Sequence, residues 1–350
     1  MTLEVKNVTK NLGSFALKNI NLAVNDGEYV VLLGPTGSGK TLLLETIMGF
    51  NRPDEGRILI DGNDITDMTP EKRGIGYVPQ NSMLFPHMTV RQNIAFGLKM
   101  RGTERAEQEK TVDYILDLIK LRPLENRRPE SLSGGEKQKV ALARVLAINS
   151  KIILLDEPLA SMDTETSWQL RSELKRLHGE DGKMVIHVTH SLIEGFSLAD
   201  KLALMREGEM VQVGGAKELL AKPRNEFAAR LLGYENVYRA KLMENASTFS
   251  ILDVEGVKVR VSGKVESVGM VALRPEDIAV DLSPVGDVNA NVLKASIIEY
   301  ADLGSMVMIK ADAGLLLNVA ISKNSFIEKE LETGKQVWLS FKDNTVKTIE

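Results

Sequence analysis

The sequence contains no cysteine, which excludes disulfide bridges, thiolate metal sites and a cysteine nucleophile. This absence fits a reducing compartment such as the cytoplasm. The sequence also lacks an apolar run of the roughly 18–20 residues that a membrane-spanning helix needs. Its first residues, Met1–Val5, lack the basic and apolar regions of a signal peptide. Any role at a membrane is therefore expected to depend on a partner protein.

The sequence also has no excess of positively charged residues. The formal net charge is −4, so a large nucleic-acid-binding face is not expected. The composition, with 43% hydrophobic and 26% charged residues, is that of a globular protein. A chain of 350 residues is long enough for two domains.

The pattern of the chain changes near Gly233. Before it, short apolar strands alternate with helical patterns, which predicts an α/β domain with a mostly parallel sheet over 1–232. Within this domain, residues 85–150 are polar and mainly helical in pattern. After it, short β-rich runs with almost no long helix predict a small all-β barrel or sandwich over 233–350.

A complete phosphate-binding loop follows the buried strand Tyr29–Leu33 and precedes a helix. Its residues are Gly34, Pro35, Thr36, Gly37, Ser38, Gly39, Lys40 and Thr41. The glycines let successive backbone N–H groups face the phosphates of a nucleotide, Lys40 adds a positive charge, and the Thr41 hydroxyl is placed to ligate Mg²⁺. The strand–loop–helix context predicts an ATP-binding site.

Two carboxylates end the apolar strand 151–155. Burying Asp156 and Glu157 is costly unless a cation lies beside them, and Mg²⁺ is that cation. Asp156 is expected to hold the ion through water. Glu157 lies one residue further on and is expected to act on an attacking water as general base.

Two further polar residues follow strands of the same predicted sheet. The amide of Gln80 can either ligate Mg²⁺ or orient the lytic water. A neutral His190 imidazole can hydrogen-bond a γ-phosphate. His187 lies in the same strand as His190 with opposite parity, so it is expected to pack in the sheet.

A second anion site is predicted at the start of the helix 137–148. Ser133, Gly134 and Gly135 stand there with exposed backbone N–H groups. Because the chain already has one complete phosphate cradle, this second one is expected to close over the ATP of another protomer.

In this order, the motifs resemble those of the ATP-binding subunits of ATP-binding-cassette (ABC) transporters. The matching residues are Gly34–Thr41, Gln80, Ser131–Glu136, Ile152–Glu157, Ser161-Met162-Asp163 and His190. The resemblance covers about residues 1–232. It implies a homodimer of cassettes arranged head to tail with two ATP molecules between them, in which Asp163 couples the two sites. Family members usually stack an aromatic residue near position 12 on adenine; this chain has Leu12 there, and Phe15 is the candidate substitute.

Residues Phe85–Val90 and Asn93–Leu98 look like the importer subgroup of that family. In this subgroup the helical region forms a groove for a cytoplasmic helix of the permease. The resemblance thus implies integral-membrane permease subunits as partners, an indirect link to a substrate-binding protein, and a peripheral location on the cytoplasmic face of the membrane. It implies no nucleic-acid partner.

The tail resembles the small molybdate/tungstate-binding barrel found behind some importer ATPases, with OB-like topology. The segments that carry this resemblance are Gly233–Val237, Leu273–Ile278, Val288–Ala295, Leu303-Gly304, Leu315–Ile321 and Phe341–Val346. In that family the tail binds the oxyanion at a dimer contact and holds the cassettes apart, which inhibits import. The matching candidate ligands here are Asn289, Asn291, Lys342 and Asn344.

Two other functions stay open at this point. The same cassette could serve an importer of sulfate, sugar, polyamine or ferric ion, because substrate choice lies in the permease and the binding protein. A soluble ABC-type ATPase of translation or DNA repair is the other class. Such chains usually carry two cassettes or a long coiled-coil insertion, and this sequence has neither.

Overall fold

The computed structural model describes residues 1–160, 162–285 and 289–349. Ser161 and Val288, which belong to motifs named above, lie outside the described residues. The chain divides into two compact units, Met1–Ala216 and Lys217–Glu350. No helix within the described ranges is both long enough and apolar enough to cross a membrane.

The first unit is built of alternating strands and helices. Its strands are β1 (Thr2–Leu12), β2 (Phe15–Asn25), β3 (Tyr29–Leu33), β4 (Glu55–Ile60), β5 (Asn63–Asp64), β6 (Ile75–Val78), β7 (Ile152–Asp156), β8 (Met184–Thr189), β9 (Lys201–Arg206) and β10 (Glu209–Gly214). Its helices are α1 (Lys40–Met48), α2 (Val90–Met100), α3 (Arg105–Leu118), α4 (Gly134–Ala147), α5 (Thr164–Asp181) and α6 (Leu192–Leu198).

The described residues of the first unit form a central sheet of six strands in the order β10-β9-β3-β8-β7-β6. The strands β9, β3, β8, β7 and β6 run parallel, and β10 is antiparallel to β9. Every residue of β3 and of β7 is buried, as expected for strands of a parallel sheet covered on both faces. Since parallel strands end at one edge, the segments after β3, β6, β7 and β8 are brought together.

Two smaller parts flank this sheet. The antiparallel sheet β2-β1-β4-β5 packs with the central sheet around one apolar core. Residues 88–121, which have a helical pattern in the sequence, form the two helices α2 and α3, because Gly102 adopts a left-handed backbone conformation between them with φ 71°. The mostly parallel sheet with antiparallel and helical additions confirms the α/β fold predicted for this region.

The second unit is mainly antiparallel β structure. Its elements are α7 (Ala216–Ala221), which begins at the boundary, α8 (Glu226–Leu231), β11 (Asn236–Asn245), β12 (Phe249–Val254), β13 (Val257–Ser262), β14 (Met270–Leu273), β15 (Ala279–Asp281), β16 (Ala290–Asp302), β17 (Met306–Asp312), β18 (Leu316–Ser322), α9 (Lys323–Glu328), β19 (Gln336–Lys342) and β20 (Lys347–Ile349). The sheets β13-β12-β11-β14-β20 and β15-β19-β16-β17-β18 share one hydrophobic core. This agrees with the predicted small barrel.

The boundary between the units differs from the sequence-based division at 232/233. Helix α8 belongs to the second unit in the structure, because two hydrogen bonds attach this region to the β domain. The Tyr234 hydroxyl donates to the Leu220 carbonyl oxygen over 2.5 Å, and the Arg274 guanidinium donates to that of Leu232 over 2.6 Å. Such long-range bonds leave no pattern in the local sequence.

Candidate nucleotide site

The phosphate loop begins where β3 ends and runs into α1. Gly39 is the N-cap residue of α1 and has φ 100°, a conformation that side-chain-bearing residues rarely adopt. A Cβ atom there would lie 2.8 Å from the Phe15 ring. Glycine at this position therefore permits both the turn of the loop and the close approach of the β1–β2 hairpin that carries Phe15.

Lys40 is buried at the centre of the loop, with 6% of its surface exposed. Its Nζ donates hydrogen bonds to the carbonyl oxygens of Gly34 over 2.8 Å and Pro35 over 2.9 Å. Burial lowers the pKa of Lys40, and the negative charges of Glu157 and Asp156 offset part of that effect. The ammonium group thus lies in the loop next to two acids, where a phosphate oxygen could also reach it.

Thr41 and Asp156 meet at the carboxyl end of β7. The Thr41 hydroxyl donates to Asp156 Oδ1 over 3.1 Å. Burial raises the pKa of Asp156, the bond from Thr41 offsets part of this, and the charges of Glu157 and Glu45 raise it further. A divalent cation would relieve this crowding of negative charge.

The donor set fits Mg²⁺ only together with a phosphate ligand. A hydroxyl, a carboxylate and the nearby Gln80 amide are hard oxygen ligands. Among the described residues no group of three or more His, Asp or Glu side chains could hold a metal ion alone. This is the usual situation for Mg²⁺ in nucleotide sites, where substrate phosphates and water complete the coordination.

Glu157 and His190 lie side by side beyond the strand ends. The Glu157 Oε2 atom is 3.4 Å from His190 Nδ1, and the Glu157 backbone N–H donates to the Val188 carbonyl oxygen over 2.9 Å. Glu157 has φ 47°, a left-handed conformation that turns its side chain away from the course of β7. Tertiary structure thus brings the predicted general base next to the histidine that is expected to hydrogen-bond the γ-phosphate.

A cavity of about 560 Å³ collects the predicted nucleotide-site residues. It is lined by Leu12, Phe15, Thr36, Gly37, Gly39, Lys40, Thr41, Leu42, Gln80, Glu157 and His190. Phe15, the candidate for the adenine contact, is at its wall, and so is Leu12. The single cavity explains how segments far apart in the chain can act on one nucleotide.

Two residues that the sequence reasoning missed hold the walls of this cavity. The Asp54 carboxylate accepts hydrogen bonds from the Asn11 backbone N–H over 2.7 Å and from Lys10 Nζ over 2.9 Å. These bonds, with the Asn11 backbone bond the largest, lower the pKa of Asp54 to about 2. They fix the end of β1 next to Leu12.

Gly208, in the β9–β10 turn, is the other missed residue. Its N–H donates to the Ser38 carbonyl oxygen over 3.0 Å, and its own carbonyl oxygen accepts from the Lys18 N–H over 2.8 Å. A Cβ atom at this position would lie 1.8 Å from the Ala16 carbonyl oxygen. Gly208 therefore links the phosphate loop to the hairpin that carries Phe15. In the sequence, Glu207-Gly208 indicates only an ordinary turn between two strands.

The second predicted anion site lies elsewhere on the first unit. Ser133 caps α4: its Oγ accepts from the Glu136 N–H over 3.3 Å, while Glu136 Oε2 accepts from the Ser133 N–H over 2.7 Å. Ser133 and Gly134 are exposed, and Gly135 is half-buried. These three are not among the described residues that line the cavity around Lys40. Within one chain, the two phosphate cradles are therefore not joined.

Asp163 caps the next helix, α5. Its Oδ1 accepts from the Thr166 N–H over 2.9 Å, and this bond is the largest cause of its lowered pKa. The exposed carboxylate is consequently ionised near neutral pH. Its expected role between two sites stays a prediction.

In the second unit, the predicted oxyanion residue Asn289 contacts a guanidinium that the sequence reasoning missed. Arg260 Nη2 donates to Asn289 Oδ1 and Arg260 Nε to Asp343 Oδ2, each over 3.1 Å. The guanidinium also lies 3.9 Å from the centre of the Phe249 ring. In the sequence, Arg260 is one of the polar residues that alternate with apolar residues along β13, and nothing else there distinguishes it.

Asn291 has a different role from the one expected. It is buried, its Oδ1 accepts from the Arg260 N–H over 2.7 Å, and its Nδ2 donates to the Arg260 carbonyl oxygen over 2.9 Å. Both polar ends of the amide therefore join β13 to β16. Lys342 and Asn344 are exposed and flank Asp343 in the chain, and their expected role as oxyanion ligands, like that of Asn289, stays a prediction.

Comparison with known proteins places these features in context. The family model described as ABC transporter matches residues 17–160. The molybdate/tungstate import ATP-binding protein WtpC of Pyrococcus abyssi is 41% identical over 99% of this chain and 100% of its own. The sulfate/thiosulfate import ATP-binding protein CysA of Thermosynechococcus vestitus is 38% identical, covering 97% of this chain and 96% of its own. The spermidine/putrescine import ATP-binding protein PotA of Roseobacter denitrificans is 36% identical, covering 96% and 94%.

A solved structure agrees with the fold of the first unit. It is the dimeric structure of a post-hydrolysis state of the ATP-binding cassette MJ0796, bound to ADP and phosphate. Its chain is 33% identical in sequence to this one, with a TM-score of 0.56. It covers 61% of this chain and 98% of its own length. That protein is described as a dimer with nucleotide products bound.

Proposed function

This chain belongs to the ABC transporter family, and from that premise we propose that it is the ATP-hydrolysing subunit of a molybdate/tungstate importer. The main support for this proposal is that the chain is 41% identical to a molybdate/tungstate import ATP-binding protein over 99% of its length, including the tail. Sulfate and polyamine import relatives also match nearly the whole chain. All three relatives are import ATP-binding proteins, so they agree on the class of transporter. The choice of molybdate or tungstate as substrate is our proposal.

The geometry of the nucleotide site supports a mechanism of positioning and charge stabilisation, as in other phosphoryl-transfer sites. Lys40 and the backbone N–H groups of the loop bind the β- and γ-phosphates. Thr41, Asp156 and Gln80 would hold Mg²⁺, which when bound neutralises charge on those phosphates. Glu157 accepts a proton from the attacking water, and His190, held 3.4 Å from Glu157, donates a hydrogen bond to the γ-phosphate.

The exposed Ser133–Gly135 helix start supports the proposal of a head-to-tail homodimer. In this arrangement the motif of one chain contacts the γ-phosphate of the ATP that Lys40 of the other chain holds. ATP binding would close the dimer, and hydrolysis would open it again. The solved cassette relative is described as a dimer, which supports the homodimer in this proposal.

An apolar groove beside α2 and α4 supports coupling to a permease. Its cavity of about 280 Å³ is lined by residues that include Phe50, Tyr77, Met83, Phe96 and Arg144. Phe50 and Met83 are 56% and 71% exposed, unusually high for large apolar side chains. We propose that a cytoplasmic helix of the permease docks here, which would place the chain peripherally on the cytoplasmic face of the membrane. A substrate-binding protein would act only through the permease.

The substrate assignment predicts a specific uptake defect. Deleting this chain from its source organism should abolish uptake of limiting radiolabelled tungstate or molybdate, while uptake of sulfate and spermidine stays unchanged. Re-expressing the chain should restore uptake, and re-expressing the Glu157→Gln variant should not. A deletion strain that loses sulfate or spermidine uptake instead, and keeps tungstate and molybdate uptake, would assign the other substrate.

The tail is proposed to bind intracellular oxyanion and to slow transport. Calorimetric titration of tungstate or molybdate into the full chain should give saturable binding, and Lys342→Ala should weaken it about tenfold, the effect of roughly 1.4 kcal/mol from one charge-assisted hydrogen bond. The matched control is Lys310→Ala, because Lys310 is a lysine on β17 whose side chain is 42% exposed and pairs with Glu299. Equal weakening by both variants would indicate unspecific charge attraction. The absence of binding at millimolar oxyanion would contradict the regulatory role.

A further inference from the structure

A buried chain of three polar side chains crosses the first unit beside the nucleotide site. Tyr29 on β3, His187 on β8 and Glu194 on α6 have 1%, 0% and 8% of their surface exposed. His187 packs in the sheet, as its strand parity predicted. None of the three lines the nucleotide cavity, and the mechanism above does not use them.

The contacts within this chain define a direction for the hydrogen bonds. The Tyr29 hydroxyl lies 2.9 Å from His187 Nδ1, and His187 Nε2 lies 3.2 Å from Glu194 Oε2. Both Nε2 and Oε2 are buried, and within the described part of the chain neither atom makes a hydrogen bond of regular geometry, so the 3.2 Å approach brings together two polar atoms that otherwise lack a partner. A neutral imidazole that accepts from the Tyr29 O–H carries its proton on Nε2, the ring nitrogen that faces the Glu194 carboxylate.

Glu194 is suited to accept this bond because it is ionised. Burial raises its pKa, but its contacts with His187, Thr189 and Arg171 together outweigh burial and hold the pKa below its ordinary value. Its backbone N–H donates to the Ser191 hydroxyl over 3.4 Å. Glu194 is thus held at its backbone by the cap of α6 and at its side chain by β8.

These two attachments enclose the segment that carries His190. Strand β8 runs from His187 through Val188 to Thr189, His190 follows, and α6 begins at Leu192. The Val188 carbonyl oxygen accepts the backbone N–H of Glu157. The 3.2 Å approach of His187 and Glu194 therefore joins β8 to α6 across the turn that carries His190.

We infer that Glu194, acting through His187, is a positioning residue that holds His190 beside Glu157 for ATP hydrolysis. The inference rests on the catalytic roles proposed for Glu157 and His190. Stability alone does not account for the arrangement, because a buried charged group and its partner can commonly be replaced by well-packed apolar residues without loss of stability. Fixing the geometry of a catalytic histidine is a use for such a pair, as it is for metal-bound and catalytic imidazoles in general.

The test is a set of double-mutant cycles on the full chain. Glu194→Met keeps the side-chain length but removes the acceptor, Glu194→Gln keeps an acceptor oxygen, and Tyr29→Phe removes only the hydroxyl that fixes the His187 tautomer. Each variant is made in the wild-type and in the His190→Ala background. Residual ATP turnover is followed by radiolabelled phosphate release, with KM for ATP and thermal unfolding as parallel readouts.

We expect Glu194→Met to lower kcat about tenfold with KM for ATP changed less than twofold. Glu194→Gln should retain kcat within threefold, and Tyr29→Phe should lower it severalfold. In the His190→Ala background, none of the three variants should lower turnover further, because the residue through which they act is gone.

Two outcomes would overturn the inference, and they are distinguishable. An equal loss of kcat from Glu194→Met in both backgrounds would show a general structural role and overturn the inference alone. Full turnover by His190→Ala itself would overturn the proposed role of His190 and, with it, the inference. If Glu194→Met does not fold, the conservative Tyr29→Phe cycle decides by the same criterion.

Discussion

Glu157→Gln is expected to bind ATP, to hydrolyse almost none of it and to accumulate as a closed dimer. The substitution keeps the size and one oxygen of the side chain but removes the proton acceptor. General base catalysis is typically worth 10²- to 10⁴-fold, so kcat should fall at least about 100-fold, or about 2.7 kcal/mol. The Kd for ATP should change little, because Lys40 and the phosphate loop are untouched.

Three measurements check this result on the full chain: steady-state phosphate release, fluorescent-nucleotide binding, and molar mass by light scattering with and without Mg-ATP. The matched control is Glu107→Gln, an exposed glutamate on α3 that is remote in sequence from the motifs. Glu107→Gln should keep wild-type turnover, and its molar mass with and without Mg-ATP should match that of the wild type. Turnover near the wild-type rate in Glu157→Gln would remove Glu157 from the role of general base.

Mixing two inactive variants is expected to restore activity, if each site draws on both chains. Lys40→Met removes the phosphate-binding cation, and Ser133→Glu places a negative charge where the partner's γ-phosphate is proposed to lie. Each variant alone should lose at least about 100-fold in turnover, because both of its sites are defective. In a mixed dimer, one site carries both defects and the other carries neither.

An equimolar mixture should therefore recover about a quarter of wild-type turnover, since random pairing makes about half of the dimers mixed and each has one intact site. Ser172→Glu is the matched control, because Ser172 is an exposed serine on α5 outside the nucleotide motifs, and its hydroxyl donates to the Trp168 carbonyl oxygen. It should stay active alone. A mixture no more active than the sum of its inactive parts would contradict the shared site.

Much of the nucleotide site could be predicted because its chemistry is carried by contiguous segments. The loop Gly34–Thr41 has a fixed order of glycines, lysine and threonine, and a buried strand before it and a helix after it are visible as hydrophobic patterns. Parallel strands end at one edge, so Asp156, Glu157, Gln80 and His190 were expected near the loop. The structure places Glu157, Gln80 and His190 around the same cavity as the loop, and Asp156 against Thr41.

The residues that sequence reasoning missed act through contacts between distant segments. Asp54 holds the end of β1, and Gly208 joins the phosphate loop to β2. Arg260 was missed for the same reason, since its partners are distant in the chain: Asn289 lies just before β16 and Asp343 just after β19. Asn291 was expected to contact a ligand, yet its amide joins two strands because β13 and β16 lie beside each other in the fold. A charged or amide side chain has the same appearance in the sequence whether it binds a ligand or another strand.

The sequence by itself determined the class of this protein: an ATP-binding cassette with the complete set of nucleotide motifs, followed by a β-rich tail. These properties depend on local order and on hydrophobic periodicity, which every short segment carries within itself. Only the tertiary structure decided which polar groups are engaged with one another, such as Tyr29 with His187 and Glu194. Such pairings depend on burial and on distances of about 3 Å between atoms far apart in the chain, and no local pattern encodes them.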